Sequence, residues 1–498
     1  MNTSLAVVVA VALGLTLGFF ALHAATAPPV PQLPDTVAGR RITAFLAAFN
    51  SGQETELRQL LSSQYDPAAL QATPIETRVH TLKQFAADAG KLTVTAVNPV
   101  NDHEIAIVVT GSKAKARFEM TFLFTPDAEH RLQGARIRPL DEDEEAPEPE
   151  VAGKPLTVDG ARQAIETDLA GLVQADRFSG VVRVSWHGAL LFEHAYGLAD
   201  REHKLPNTLD TKFNLGSINK VFTKLAIAQL AERGKLSLSD PLIRYLPDYP
   251  NPEVAKKITL EQLASHTSGL GDIFTERFPS LRDKLTSLPA YLPLFADKPL
   301  EFEPGARSSY SNAGYVVLGL VIERVSGVDY YTYVRQNVFT PAGMKDTDSY
   351  ALAEATPNRA IGYTSGDSDR PKAGARRPNQ DRLPARGSSA GGGYSTAGDL
   401  ARFAKALSED RLVGPAWTRW VVGGPLPKAG AAAPTPAPAK DALPPIDIGA
   451  AGGSPGLNAV LEIEGGGEKW TVVVLSNYDP PSAQKVSRRI LTILGRIH

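Results

Sequence analysis

Ser217 and Lys220 stand three positions apart in the run Phe213-Asn-Leu-Gly-Ser-Ile-Asn-Lys-Val-Phe-Thr223. A serine hydroxyl is a weak nucleophile until a base takes its proton. On a helix, residues three apart share a face, one turn from each other. A helix starting at Ser217 therefore brings an amine to the hydroxyl. That is the S-x-x-K spacing of serine acyl-transfer chemistry.

The same spacing recurs at Ser112-Lys-Ala-Lys115 and Ser482-Ala-Gln-Lys485, and context separates the three. After Ser217 come Val221, Phe222, Leu225, Ala226, Leu230 and Ala231, an apolar stripe at helical spacing, closed by Gly234 as a cap. Lys220 then borders an apolar face, where desolvation lowers an amine's pKa. Ser112 lies between two strand-like runs. Ser482 follows Pro480-Pro481 and reads as an N-cap of a terminal helix.

The 498 residues carry a net charge of −2 and no cysteine. The near-neutral balance gives no sign of nucleic-acid binding. The lack of cysteine excludes disulfides, thiolate zinc sites, cysteine nucleophiles and lipidated cysteine. The nine histidines show no H-x-H or H-E-x-x-H grouping, so no metal site is expected. No organic cofactor is implied either.

Residues 5–22 are apolar apart from Thr16, and Ala25-Thr-Ala27 offers a small-residue cleavage site. We expect residues 1–27 to be a cleaved signal peptide, with a retained membrane anchor as the alternative. Either places the protein outside the cytoplasm, in the periplasm or cell envelope. Residues 28–35 are a proline-rich linker.

Residues 36–140 read as a small α+β module. Ile42, Phe45, Leu46 and Phe49 mark a first helix ended by Asn50-Ser-Gly52, and Leu57, Leu60 and Leu61 a second. Strand-like runs follow at 92–97, 104–110, 116–125 and 131–139. The order, and the start Phe45-Leu-Ala-Ala-Phe-Asn-Ser-Gly52, resemble the nuclear-transport-factor-like cone fold. Such a module is expected to bind a ligand, to dimerise, or to serve as a spacer. The acidic run in residues 141–155 reads as a solvated linker.

The larger domain spans 156–498. It opens with a helix bearing Ile165, Leu169, Leu172 and Val173, then strands 180–186 and 189–196 joined at His187-Gly188. It closes with a strand at 470–476 and a helix carrying Val486, Ile490, Ile493, Leu494 and Ile497. An antiparallel sheet flanked by both terminal helices, with a helical region inserted, is the expected α+β fold. The Ala/Pro-rich stretch 425–445 reads as a loop or linker.

Seven ordered runs make this domain resemble the serine β-lactamase and penicillin-binding-protein superfamily. They are similar above all to its class C-related branch of esterases and D-amino-acid peptidases. The runs are Tyr196-Gly-Leu-Ala-Asp200, Gly216-Ser-Ile-Asn-Lys-Val-Phe222, Leu263-Ala-Ser-His-Thr-Ser-Gly-Leu270, Phe302-Glu-Pro-Gly305, Tyr310-Ser-Asn-Ala-Gly-Tyr315, Gly392-Gly-Tyr-Ser-Thr396 and Val474-Leu-Ser-Asn-Tyr-Asp-Pro480. The resemblance implies Ser217 as nucleophile and Lys220 with Tyr310 as its proton relay. A lysine cation beside Tyr310 is expected to favour the phenolate. Asn312 is expected to bind a substrate carbonyl or fix Lys220. Backbone N–H groups of Ser217 and Gly453 are implied as the oxyanion hole.

One element departs from the pattern. The family usually places Lys or His, one residue, then Gly on a strand edging the site. The match here is Ala450-Ala-Gly452 followed by Gly453, so Ala450 stands where the basic residue belongs. That weighs against substrates carrying a carboxylate at that point. Lys428-Ala-Gly430 mimics the motif inside the Ala/Pro stretch. Gly387-Ser-Ser-Ala-Gly391 mimics the G-x-S-x-G elbow around Ser389, without the strand and helix that elbow needs. His266 is expected to pack or cap rather than join a triad.

The expected function is that of an exported serine hydrolase. It would cleave a small ester, a D-residue peptide or a β-lactam-like amide through an acyl-enzyme on Ser217. The alternative is a binding or sensor protein on the same fold.

Overall fold

The computed structural model describes residues 33–497 apart from 73, 102–103, 114–116, 126, 128, 141–154, 366–375, 428–445 and 466–468. The apolar N-terminal stretch, the acidic linker and the Lys428-Ala-Gly430 mimic therefore lie outside the described residues, as does Lys115. Among the described residues no helix is long and apolar enough to cross a membrane. The chain forms two compact units, residues 1–152 and 153–498.

Among the described residues of the first unit, four helices precede a four-stranded antiparallel meander. Helix α1 (Val37–Ser51) starts at Thr36, whose side chain accepts the Gly39 N–H, and stops at Gly52 with φ 71°. Ile42, Phe45, Leu46 and Phe49 are buried beside Leu57, Leu60 and Leu61 of α2 (Glu54–Gln64). Their partners are Ile107, Met120 and Phe122 of the sheet. Strands β1 (Leu92–Asn101), β2 (Glu104–Gly111), β3 (Arg117–Phe124) and β4 (Leu132–Leu140) fall on the four strand-like runs. Ser112 follows β2 in a turn, where its hydroxyl accepts the Lys91 N–H. Two helices, α3 (Pro67–Ala72) and α4 (Ile75–Ala89), were not foreseen. In α4 the β-branched Thr77, Val79 and Thr81 weaken the local helical preference. Burial of Val79 and Leu82 overrides it.

In the second unit α5 (Val158–Gln174) leads into β5 (Gly180–Trp186) and β6 (Ala189–Tyr196). His187 (φ 48°) and Gly188 (φ 73°) make the turn between them, matching the right-handed strand twist. The helical region inserted after β6 contains α6 (Asn219–Glu232) and α7 (Asn312–Ser326). Strands β7 (Ile448–Ser454), β8 (Leu457–Glu464) and β9 (Trp470–Ser476) then complete one antiparallel sheet of order β7-β8-β9-β5-β6. Helix α8 (Ser482–Leu494) closes the fold.

Side-chain alternation divides the sheet between two cores. Val182, Val184, Val472 and Val474 face Ile165 and Leu169 of α5 and Val486 and Ile490 of α8. Val181, Leu461, Val473 and Leu475 join the core built on α6 and α7. The expected α+β architecture is the one observed. Ser482 does not cap α8: it is the first helical residue, and its hydroxyl bonds the Ser476 hydroxyl at the end of β9 instead.

Candidate active site

Ser217 sits on a single 3₁₀ turn, Gly216–Ile218, and α6 begins only at Asn219. The turn and helix are continuous, so the i, i+3 relation to Lys220 survives. From Phe222 to Leu230 nearly every α6 residue is buried, which makes it the central helix of the domain. Phe222 packs edge-on to Phe339 and Phe403. Gly234 takes φ 65° just beyond the helix end.

The structure brings Ser217, Lys220, Tyr310 and Asn312 together. Lys220 Nζ lies 3.2 Å from Ser217 Oγ, 2.7 Å from Asn312 Oδ1 and 2.6 Å from the Ala390 carbonyl. Two of these partners can only accept. A neutral amine has two hydrogens and one lone pair. The Asn312 and Ala390 oxygens take the hydrogens, which leaves the lone pair for Ser217. Lys220 is only 7% exposed, and burial lowers its pKa to about 7, opposed by the nearby Asp272 carboxylate.

Tyr310 donates its hydroxyl to Ser217 Oγ at 2.6 Å. Its ring centroid is 4.7 Å from Lys220 Nζ. The expected phenolate is not favoured: partial burial pushes the phenol above its ordinary value, with the Ser217 hydrogen bond opposing. The side chain is 55% exposed, so solvent damps that push. The direction still assigns the easily lost proton to Lys220 rather than to Tyr310.

Ser311 caps α7 by accepting the Gly314 N–H and donates to the Gly271 carbonyl. Asn312 thereby opens the helix with its amide nitrogen on Asp272, 3.1 and 2.9 Å from the two carboxylate oxygens. Asp272 so fixes which end of the Asn312 amide faces Lys220. Neither Asp272 nor the Ala390 carbonyl was foreseen. Both lie on loops, and a backbone carbonyl leaves no residue-type signature.

Strand β7 runs beside the Ser217 turn. A side chain on Gly452 would put its first carbon 1.9 Å from the Leu215 carbonyl oxygen and 2.7 Å from Ser217 N. One on Gly216 would lie 3.0 Å from Gly453 N. The two backbones approach this closely only because neither position carries a side chain. Ser217, Asn312, Tyr310 and Gly453 line one cavity of about 330 Å³. Gly452 and Ala450 are not among its lining residues. Gly452 lies under the nucleophile turn, and Ala450 packs against the main core. The outer wall is mainly apolar, with Ile273, Phe274, Phe278, Leu352, Leu383 and Pro384, and Arg382 is the charged residue among them.

Ser389 is fully buried, and its hydroxyl donates to the Tyr315 carbonyl. Its hydroxyl proton is committed to a backbone carbonyl and the side chain is shut off from solvent, so the G-x-S-x-G mimic supplies a loop, not a nucleophile. Among the described residues no group of three His, Asp or Glu side chains could hold a metal ion.

The family model described as Beta-lactamase matches residues 161–495. The chain is 37% identical over 201 residues to esterase EstB of Burkholderia gladioli, covering 37% of this chain and 50% of the esterase. It is 32% identical over 208 residues to a penicillin-binding protein of Bacillus subtilis (strain 168), covering 41% of this chain and 45% of that protein. The chain thus spans about half the length of these curated relatives. Its fold is similar to that of a penicillin binding protein from Bacillus halodurans, at TM-score 0.55 and 29% identity, over 65% of this chain and 98% of that one. A D-amino acid amidase from Ochrobactrum anthropi shares the fold at TM-score 0.54 and 23% identity, over 68% and 98%. With the family model covering the whole sheet, the inserted helices and the Ser217 turn, the chain belongs to the beta-lactamase family.

Proposed function

We propose that the protein is a serine hydrolase that cleaves an uncharged ester or amide through an acyl-enzyme on Ser217. The observation that carries this is the Lys220 amine, dry, with two carbonyl partners and its third contact on Ser217 Oγ. Ser217 Oγ attacks the carbonyl carbon as its proton passes to Lys220 Nζ. The oxyanion develops next to the amides of Ser217 and Gly453, a reading supported by both residues lining the same cavity. Collapse breaks the bond to the leaving group, which takes the proton by way of the Tyr310 hydroxyl. Water repeats the sequence on the acyl-enzyme and releases the acid.

The substrate reading follows from the wall. Ala450 brings no cation to β7, and Phe274, Phe278 and Leu383 offer apolar surface. Esters with a small apolar acyl or alkyl group fit best; D-residue peptides and β-lactams come second. Residues 5–22 support export, with the active domain outside the cytoplasm.

A panel of activated esters, D-aminoacyl amides and penicillins tests this. The expected result is a burst of leaving group and a mass adduct on Ser217, both lost in Ser217→Ala. A protein that only binds ligands on this fold has no activated serine, and failure to label with a fluorophosphonate would favour that reading.

A further inference from the structure

His266 lies in the turn before Gly269 with φ 60°, a left-handed conformation uncommon for a residue with a side chain. Its carbonyl accepts the Ser309 N–H at 2.8 Å. Its Nδ1 accepts the Ser311 N–H at 3.2 Å. Its ring lies on the Tyr310 ring, centroids 4.6 Å apart and planes 28° off parallel. The amide before Tyr310, the amide after it and the phenol ring itself are thus all held by one residue.

We propose that His266 is a positioning residue that holds the Tyr310 phenol against Ser217. The inference rests on the role proposed above for Tyr310. The need is physical. Tyr310 precedes α7 and is 55% exposed, so core packing does not set its ring. A single hydrogen bond to Ser217 leaves a phenol free to swing, and a misplacement of ~1 Å can cost a catalytic group much of its effect. The imidazole is itself anchored: its ring also packs on Tyr315, whose hydroxyl donates to the Ala264 carbonyl.

Nδ1 can accept the Ser311 amide only when unprotonated, which places the neutral ring's hydrogen on Nε2. The charged and titratable groups around it are Lys220, Lys224, Asp272, Tyr310 and Tyr315. Burial, then Lys220 and Lys224, push the imidazole down to about 4, with Asp272 opposing. The clamp therefore stays an acceptor across the neutral range. His266 is not a third member of a triad, because the Ser311 amide occupies the nitrogen that a base would use.

A double-mutant cycle tests the clamp. Asn tolerates a positive φ and keeps an acceptor, but loses the stacked ring. His266→Asn should lower kcat by roughly 10- to 100-fold with KM nearly unchanged. In a Tyr310→Phe background the same substitution should change kcat by less than about twofold, since no hydroxyl remains to position. Equal losses in both backgrounds, or none in either, would overturn the clamp. Should His266→Asn not fold, nitrogen NMR of the wild-type protein decides. A neutral Nε2–H ring from pH 5 to 9 is expected, and an imidazolium at neutral pH would refute it. Activity persisting in Ser217→Ala would instead defeat the hydrolase reading itself.

Discussion

The Tyr310 hydroxyl reaches Ser217 Oγ at 2.6 Å across 93 positions of chain. Lys220 meets the same oxygen from its own helix at 3.2 Å. One oxygen thus has two polar neighbours that differ in how readily they give up a proton. Burial lowers the amine to about 7 and raises the phenol. Near neutral pH Lys220 is the group that can accept, and Tyr310 the group that can donate.

The pH dependence follows. Activity on an uncharged activated ester should climb with pH as Lys220 loses its proton, with kcat/KM bending near 7 and falling about tenfold per unit below that. Asp272 raises the Lys220 pKa, so Asp272→Asn should move this limb to lower pH, alongside a loss of kcat from a freed Asn312. A limb that stays in place would show that the bend belongs to another group.

The same burial carries a stability cost. Lys220 is protonated in the unfolded chain up to about 10.5 and in the folded protein only up to about 7. Between these values unfolding takes up a proton, so stability rises with pH through that window. Below about 7 the penalty is fully present. Lys220→Met should therefore raise Tm most at pH 6, and its advantage should shrink towards pH 10. Thermal melts at the two pH values check this; a constant difference would contradict it.

Gly452→Ala should damage the site without touching a substrate. The added carbon meets the Leu215 carbonyl oxygen at 1.9 Å, so β7 or the Ser217 turn has to shift. Overpacking of this kind costs ~1–3 kcal/mol. Displacing the Gly453 amide should cost roughly 100-fold in kcat. Wild-type kcat in a folded variant would remove β7 from the oxyanion argument.

Phe274 stands at the cavity rim, 62% exposed, with its ring edge-on to Phe278. Phe274→Ala should raise KM for longer acyl esters by about 3- to 10-fold, the range expected for partial loss of an apolar contact. Acetyl esters should be nearly unaffected. Equal effects on both would place the acyl group elsewhere.

Much of the fold was readable because burial imposes periodicity. Strands 180–186 and 470–476 fall on runs rich in valine, strand 189–196 on the apolar and aromatic run that follows the His187-Gly188 turn, and α1, α2, α5 and α8 where apolar residues recur every three or four positions. Helix α4 escaped because β-branched residues interrupt its helical preference and only the sheet it covers makes it pay. The start of α6 shifted by two residues because Ser217 occupies a tighter turn.

Chemistry local to one helix was fixed by sequence: Ser217 and Lys220 share a face because the helical repeat leaves no other choice. Motif order also pointed to Tyr310 and Asn312. Only the tertiary structure decided the proton affinities. Burial lowers the proton affinity of Lys220 and raises that of Tyr310, because the solvent and neighbours each side chain meets come from segments distant in the chain. The same holds for Asp272 turning Asn312, for the Ala390 carbonyl orienting the amine, and for His266 against Tyr310. Those contacts depend on loop paths, and loop paths carry no periodic signal that a linear chain displays.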